Sequence, residues 1–212
     1  MPISRAGPLF KAGLFAAVLA LSACIDGGAS LGPPQFSVAS AGGAVTIAGP
    51  GGYCVDRQLS RVQNSDSFVV LGSCAALAEG GVAPAGAPAI LTATVSGAPA
   101  SAVPGPAALE TFLRSEDGRR TLARDNRAES VTILRTRSDN GTLMLNIRDT
   151  SPGGIGRGTE DAYWRAVFAV RDRLVTATVL AFSERPLTAE GGFRLLGRFV
   201  ARIRAVNPGP AG

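Results

Sequence analysis

Between Ser130 and Phe182 apolar and polar residues alternate with the period of two that marks half-buried strands. Two turn signals divide the run. Asn140-Gly141 is the strongest short-range hairpin signal and favours a type I′ turn. Taken as the turn, it pairs Leu134 with Ile147 and Thr136 with Leu145 on one face. The other face then holds Arg135 opposite Asn146, Arg137 opposite Met144 and Ile133 opposite Arg148. A second hairpin is predicted at Asp172-Arg173, pairing Val170 with Val175, Phe168 with Ala177, Ala166 with Val179 and Trp164 with Ala181. Large faces small across that pair, as in a filled face. Joined through residues 150–161, the hairpins make a four-stranded antiparallel meander.

Upstream, short strands are predicted at Phe36–Ala39 and Ala44–Ala48, followed by a Pro50-Gly51-Gly52 turn into Tyr53-Cys54. Ser67–Cys74 reads as a buried strand, the Gly/Ala/Pro-rich run Ala78–Ala89 as a loop, and Ile90–Val95 as a further strand. Pro104-Gly105-Pro106 opens a helix, because proline fits the first helical turn. Leu109, Phe112 and Leu113 share its inner face, and Gly118 breaks or bends it before a second short piece around Arg119–Arg124. From Leu187 to Ala205, Phe193, Leu196, Val200 and Ile203 recur at helical spacing and predict an amphipathic helix lying on the sheet. Gly197 reads as a point of close helix–sheet contact. The whole is an α+β chain: an antiparallel sheet, made of the meander plus the N-terminal strands, packed by a central helix and a C-terminal amphipathic helix.

The N-terminus has a different texture. Arg5 and Lys11 precede an apolar stretch from Ala12 to Leu21, which is too short to span a bilayer but has the form of an export signal. It closes on Leu21-Ser22-Ala23-Cys24, which resembles the lipobox of bacterial lipoproteins. The resemblance implies a diacylglyceryl group on the Cys24 sulfur, cleavage before Cys24, acylation of the freed amine, and a membrane anchor there. Ile25, rather than Asp, after the acylated residue points to the periplasmic face of the outer membrane under the lipoprotein sorting rule. Residues 1–23 are then a signal peptide, 24–35 a flexible tether, 36–207 a single domain and 208–212 a disordered tail. Removing residues 1–23 from the 212 leaves 189, enough for one real core.

That compartment sets the reading of the other cysteines. Cys54 and Cys74 are an even pair under oxidising conditions, which predicts a disulfide. A metal site is the poorer reading, since the chain has no histidine and no further thiols to complete a shell. Lys11 is the only lysine and leaves with the signal. Without it and Arg5, 19 of the 21 basic residues remain, all arginine, against 16 acidic ones, a net charge of +3. So mild a balance gives no reason to expect nucleic acid.

Element order across residues 36–205 also resembles the Mog1/PsbP-like fold, carried by the Pro50-Gly51-Gly52-Tyr53 turn, Trp164 on a central strand and the closing helix at Phe193–Ile203. The Cys54/Cys74 pair and the long Ala/Gly/Pro loop depart from it. Binding and assembly factors predominate in that fold, and whole-chain texture is similar to lipoproteins of GC-rich proteobacteria.

Without histidine or a mature lysine, no Ser-His-Asp, Cys-His or Ser-Lys nucleophile can be assembled. Carboxylate chemistry survives. Glu160 and Asp161 precede Trp164, but neighbours on a strand point to opposite faces and are poorly placed to act together. Gly153–Gly158 is glycine-rich, yet it joins two strands and is read as a loop, not a phosphate cradle. Two arginine arrays remain. Arg135, Arg137 and Arg148 share the non-core face of one hairpin, extended by Arg165 and Arg171, and Arg194, Arg198 and Arg202 stripe the closing helix. Either suits an anion, but the leading reading of both is a solvated face. The expectation is a lipid-anchored, periplasm-facing, non-enzymatic binding or envelope-assembly factor with a protein or glycan partner and no cofactor. The alternatives are a carboxylate-dependent hydrolase of envelope glycan and an anion or lipid-headgroup binding module.

Overall fold

The alternating run forms four antiparallel strands in the computed structural model, which describes residues 35–39, 43–63, 66–78, 89–153 and 158–208. They are β6 (Val131–Asp139), β7 (Thr142–Asp149), β8 (Thr159–Val170) and β9 (Arg173–Phe182). Ahead of them come β3 (Tyr53–Gln63), β4 (Asp66–Ser73) and β5 (Ala89–Pro99), and the seven make one sheet in the order β3-β4-β5-β9-β8-β7-β6. Every neighbouring pair is antiparallel. The first two strands, β1 (Gln35–Val38) and β2 (Val45–Ala48), form a separate two-stranded ribbon and do not join that sheet. The helices are α1 (Cys74–Leu77), α2 (Pro106–Arg114), α3 (Glu116–Leu122) and α4 (Ala189–Ala205). Sheet with a minority of helix is the α+β class. The proposed lipobox at Cys24, the signal and most of the tether, the bulk of the 78–89 loop, residues 154–157 and the tail from 209 lie outside the described residues.

Both hairpins form, but each register departs from the pattern. In β6–β7, Asn140 and Gly141 take φ of 45° and 68°, and Thr136 faces Leu145, Arg135 faces Asn146 and Arg137 faces Met144, as the turn dictates. Beyond Arg135 the register slips. Ile133, not Leu134, faces Ile147, and Thr132, not Ile133, faces Arg148. A bulge at Leu134 turns Ile133 and Val131 into a cluster with Leu143, Leu145 and Ile147, leaving Leu134 at 43% exposure. Two apolar side chains go in for one turned out, and the bulge supplies the flip that strict alternation forbids. In β8–β9 the turn residues are Arg171 and Asp172, so Phe168 faces Val175, Ala166 faces Ala177 and Trp164 faces Val179. This slip of two residues keeps every side chain on its expected face, which is why alternation alone does not distinguish the two registers.

Both faces of the sheet are used. On one, α4 and the β1–β2 ribbon cover Val55, Val69, Leu91, Trp164, Phe168 and Val179. Thr188 caps α4 by accepting from the Gly191 amide at 3.0 Å. The helix buries Phe193, Leu195, Leu196, Phe199, Val200 and Ile203, each contributing roughly 1.5–3 kcal/mol relative to exposure. The close approach is at Gly192: a Cβ there would lie 2.0 Å from the Trp164 ring, whereas one at Gly197 would meet nothing within 4 Å. On the other face, α2 and α3 seat Leu113 and Leu122 over Leu143, Leu145, Ile147 and Tyr163. Phe112 does not share this face; it is 45% exposed. The break between the helices is at Ser115, which caps α3, and Gly118 sits inside α3, where a Cβ would lie 2.0 Å from the Phe112 carbonyl oxygen.

Candidate functional site

The α2–α3 pair covers only the β6–β7–β8 end of its face. Toward β4 and β5 the sheet is open, and two adjoining cavities lie there. The first, about 190 Å³, is lined by Phe68, Thr92, Leu122, Arg124, Asp149, Tyr163, Arg165, Thr178 and Leu180. The second, about 490 Å³, lies across the shared Phe68 and is bounded by Leu59, Arg61, Asp66, Val70 and Thr94. Phe68 is 44% exposed and Leu59 54%, an apolar rim over a floor of threonines.

The strands set this geometry. On β8 Trp164, Ala166 and Phe168 point toward α4, so Arg165 must point the other way, into line with Leu145 on β7 and Thr178 on β9. Its Nε donates to Thr178 Oγ1 at 3.4 Å, and its guanidinium lies 5.0 Å from the Tyr163 ring centroid. Arg165 is half-buried, and among the described residues no carboxylate pairs with it. Arg124, just past α3, is different. Its Nε donates to Asp149 Oδ2 at 3.0 Å and its Nη2 to the Ser151 carbonyl at 2.7 Å. Ser151 donates to Asp149 Oδ1 through its amide (2.9 Å) and its hydroxyl (2.5 Å). Burial works against ionising Asp149, but the Ser151 and Arg124 hydrogen bonds outweigh it and hold the carboxyl below the usual aspartate range. Burial also raises the Tyr163 phenol, with Arg165 pulling it back.

The bulge in β3 shapes the outer rim. Asp56 Oδ1 accepts from the Gln58 and Leu59 amides at 2.9 and 3.0 Å, and Ser60 Oγ accepts from the Val70 amide at 3.0 Å. Side chains here stand in for the ladder bonds lost between Asp56 and Arg61, and Leu59 is pushed out over Phe68's cavity.

The arginines expected to form one array divide between the two faces. Arg135 and Arg137 lie on the α4 face, not a non-core face, and converge on one carboxylate oxygen of Glu190 in the first turn of α4, Arg135 at 3.2 Å. Arg137 also stacks over Phe193 at 4.6 Å. Arg148 is exposed on the same face of β7. Arg165 is on the opposite face and does not extend that surface, and Arg171 sits in the β8–β9 turn against Gly43. Arg194, Arg198 and Arg202 line the exposed side of α4. Glu160 and Asp161 open β8 in an irregular stretch and line neither cavity. Trp164, 3% exposed, is packed under Gly192 and donates from Nε1 to the Ala189 carbonyl at 3.1 Å. It is core, not a ligand platform.

Cys54, in β3, and Cys74, following β4, form a disulfide with Cα atoms 4.8 Å apart. That bond belongs to oxidising, extracytoplasmic surroundings. Among the described residues no helix is long and apolar enough to cross a membrane, and no group of His, Cys, Asp and Glu is arranged to hold a metal ion.

The alternation pattern points to the Arg135–Arg148 hairpin and not to the Arg124–Asp149–Ser151 knot, in which Arg124 reaches a carboxylate 25 residues along the chain. The face of Arg165 was available from its parity with Trp164. Comparison with known proteins adds little. No family model matches the chain, and no curated protein matches it. The extracellular domain of PknH from Mycobacterium tuberculosis aligns structurally at a TM-score of 0.32 and 11% identity. The alignment spans 66% of this chain and 64% of that one, under two thirds of its length. A likeness of that size supports no statement about fold or function.

Proposed function

We propose that this chain is a lipoprotein anchored through Cys24, facing the periplasm from the outer membrane, whose domain binds an envelope component without transforming it. The single observation that carries the binding half is the open end of the sheet, where exposed Phe68 and Leu59 flank a recess holding Arg165 and the Arg124–Asp149 pair. Apolar walls with a few converging polar groups are the usual make-up of a binding recess. The non-enzymatic half rests on residue types: the mature chain offers no histidine or lysine, and Glu160 and Asp161 lie away from the recess. The anchor rests on Leu21-Ser22-Ala23-Cys24. The Mog1/PsbP-like resemblance belongs to the same reading and rests on element order.

Mass spectrometry of the native N-terminal peptide tests the anchor: Cys24 is expected to be the first residue and to carry acyl mass. An unprocessed chain or a free thiol there refutes it. A photoreactive residue tests the face. Phe68→p-benzoylphenylalanine should give a discrete adduct in intact envelopes, and the same residue at Arg194, on the exposed side of α4, should not. Equal labelling at the two positions removes the recess from consideration.

A further inference from the structure

The recess carries an unbalanced charge, and this narrows what fits it. The 190 Å³ cavity is lined by three ionisable groups that are charged at neutral pH: Arg124, Arg165 and Asp149. Asp149 is 1% exposed and fully engaged by Arg124 and Ser151. Arg165 is therefore left with one long hydrogen bond to Thr178 and the face of Tyr163. A half-buried guanidinium held this way has spare donors on its two Nη atoms and no counter-ion among the described residues. Around it the walls are apolar, from Leu122, Leu180, Tyr163 and Phe68, over a floor of Thr92 and Thr178. Past Phe68 the recess continues into the 490 Å³ cavity over Val70 and Leu59, where Arg61 and Asp66 offset each other in charge.

We infer that the recess binds an amphipathic monocarboxylate. Its carboxylate pairs with Arg165 beside the Arg124–Asp149 clasp, and its apolar body crosses Phe68 toward Val70 and Leu59. A single negative charge matches the net +1 of the head cavity. A phosphate monoester, close to doubly charged at neutral pH, brings a second charge up against Asp149. Guanidinium and carboxylate match in geometry, and desolvation within the recess strengthens the pair. The other arginine cluster lacks this feature, since Arg135 and Arg137 already share Glu190. This inference rests on the recess being the binding face proposed above, and it adds the class of ligand.

Hexanoate, 1-hexanol and acetate are the probes. They are titrated by saturation-transfer NMR into the full mature chain in phosphatidylcholine nanodiscs, with protein-free nanodiscs as the reference for partitioning into lipid. Hexanoate is expected to bind, while hexanol, without charge, and acetate, without a tail, bind about tenfold or more weakly. Arg165→Gln should bring hexanoate down to the level of hexanol. Phe68→Asp alters an exposed position, removes an apolar contact that both tails use and places an anion at the mouth, so it should weaken both ligands, and hexanoate about tenfold more than hexanol. Far-UV circular dichroism checks that each variant is folded, and Phe68→Asp carries the test if Arg165→Gln does not fold. Absence of hexanoate binding, or equal binding by the folded variants, overturns the inference. If hexanoate fails while the position-68 photoadduct still forms, the ligand class is wrong and the binding face stands. If both fail, the face is wrong as well.

Discussion

Gly192→Ala should destabilise the protein although alanine is the better helix former. A Cβ at 192 would fall 2.0 Å from Trp164 Cε2, 2.2 Å from Cδ2 and 2.5 Å from Cζ2. Carbons rest at about 3.5 Å or more, so helix and ring must separate by about 1.5 Å. Neither is free to move. Trp164 is 3% exposed with Nε1 bonded to the Ala189 carbonyl, and α4 is pinned by six buried side chains. Overpacking of this kind costs about 1–3 kcal/mol, and losing the indole hydrogen bond adds about 1. Helix propensity returns about 1 kcal/mol, leaving a net loss of about 1–3. Gly197→Ala is the internal control. No atom lies within 4 Å of its Cβ position, so propensity acts alone and should stabilise by about 0.5–1 kcal/mol. Urea unfolding of the full chain, followed by circular dichroism and by the fluorescence of Trp164, the only tryptophan, separates the two. A Gly192→Ala protein as stable as the parent, with unchanged emission, would refute the packing argument.

Cys54→Ser with Cys74→Ser should lower stability by roughly 3 kcal/mol, as expected for a bridge closing a loop of this size, and urea unfolding with and without reductant should show the same gap in the parent. Asp149 supplies a pH signature. Its folded carboxyl titrates below the ordinary 3.8, so its contribution is complete above that value and is lost as pH falls through the lower, folded one. Asp149→Asn should therefore flatten the acid limb of the stability curve and cost about 1–3 kcal/mol at neutral pH. An acid limb identical to the parent's argues against the knot. The bulge in β6 makes Leu134→Thr nearly neutral, within about 0.5 kcal/mol. Ile147→Ala, at a fully buried position, should cost about 2–5. A large loss at Leu134 would restore the unbulged register.

Much of the frame was legible because period-two alternation and an Asn-Gly turn are local signals. They placed β6 to β9, and 3.6-residue spacing placed α4 with a buried face at Phe193, Leu196, Val200 and Ile203. What escaped was non-local. The bulge at Leu134 follows from burying Val131 and Ile133 in one cluster with Leu113 and Leu122 of the preceding helices, and nothing within β6 announces it. Strand β3 runs to Gln63 through Asp56-Arg57-Gln58, a polar stretch without alternation in which side chains replace ladder bonds. The glycine that meets the sheet is Gly192, beside the tryptophan, and not Gly197; helical spacing alone does not say which glycine lies over Trp164. For the recess, Arg165's side of the sheet was implicit in its alternation with Trp164, whereas Arg124, Asp149 and Ser151 meet only in three dimensions.

The Asn207 side chain joins the foot of α4 to β2 of the N-terminal ribbon. It accepts from the Thr46 amide at 2.8 Å and donates to the Thr46 carbonyl at 2.6 Å, closing the foot of α4 onto the ribbon whose other strand begins at Gln35. Entry and exit points of the fold are thus neighbours. A body with adjacent ends can be spliced into a longer polypeptide, or have its order of elements rotated by linking them, without a connector that crosses the molecule. Tension applied at the front of the chain would reach the ribbon and this amide clasp before it reached the seven-stranded sheet.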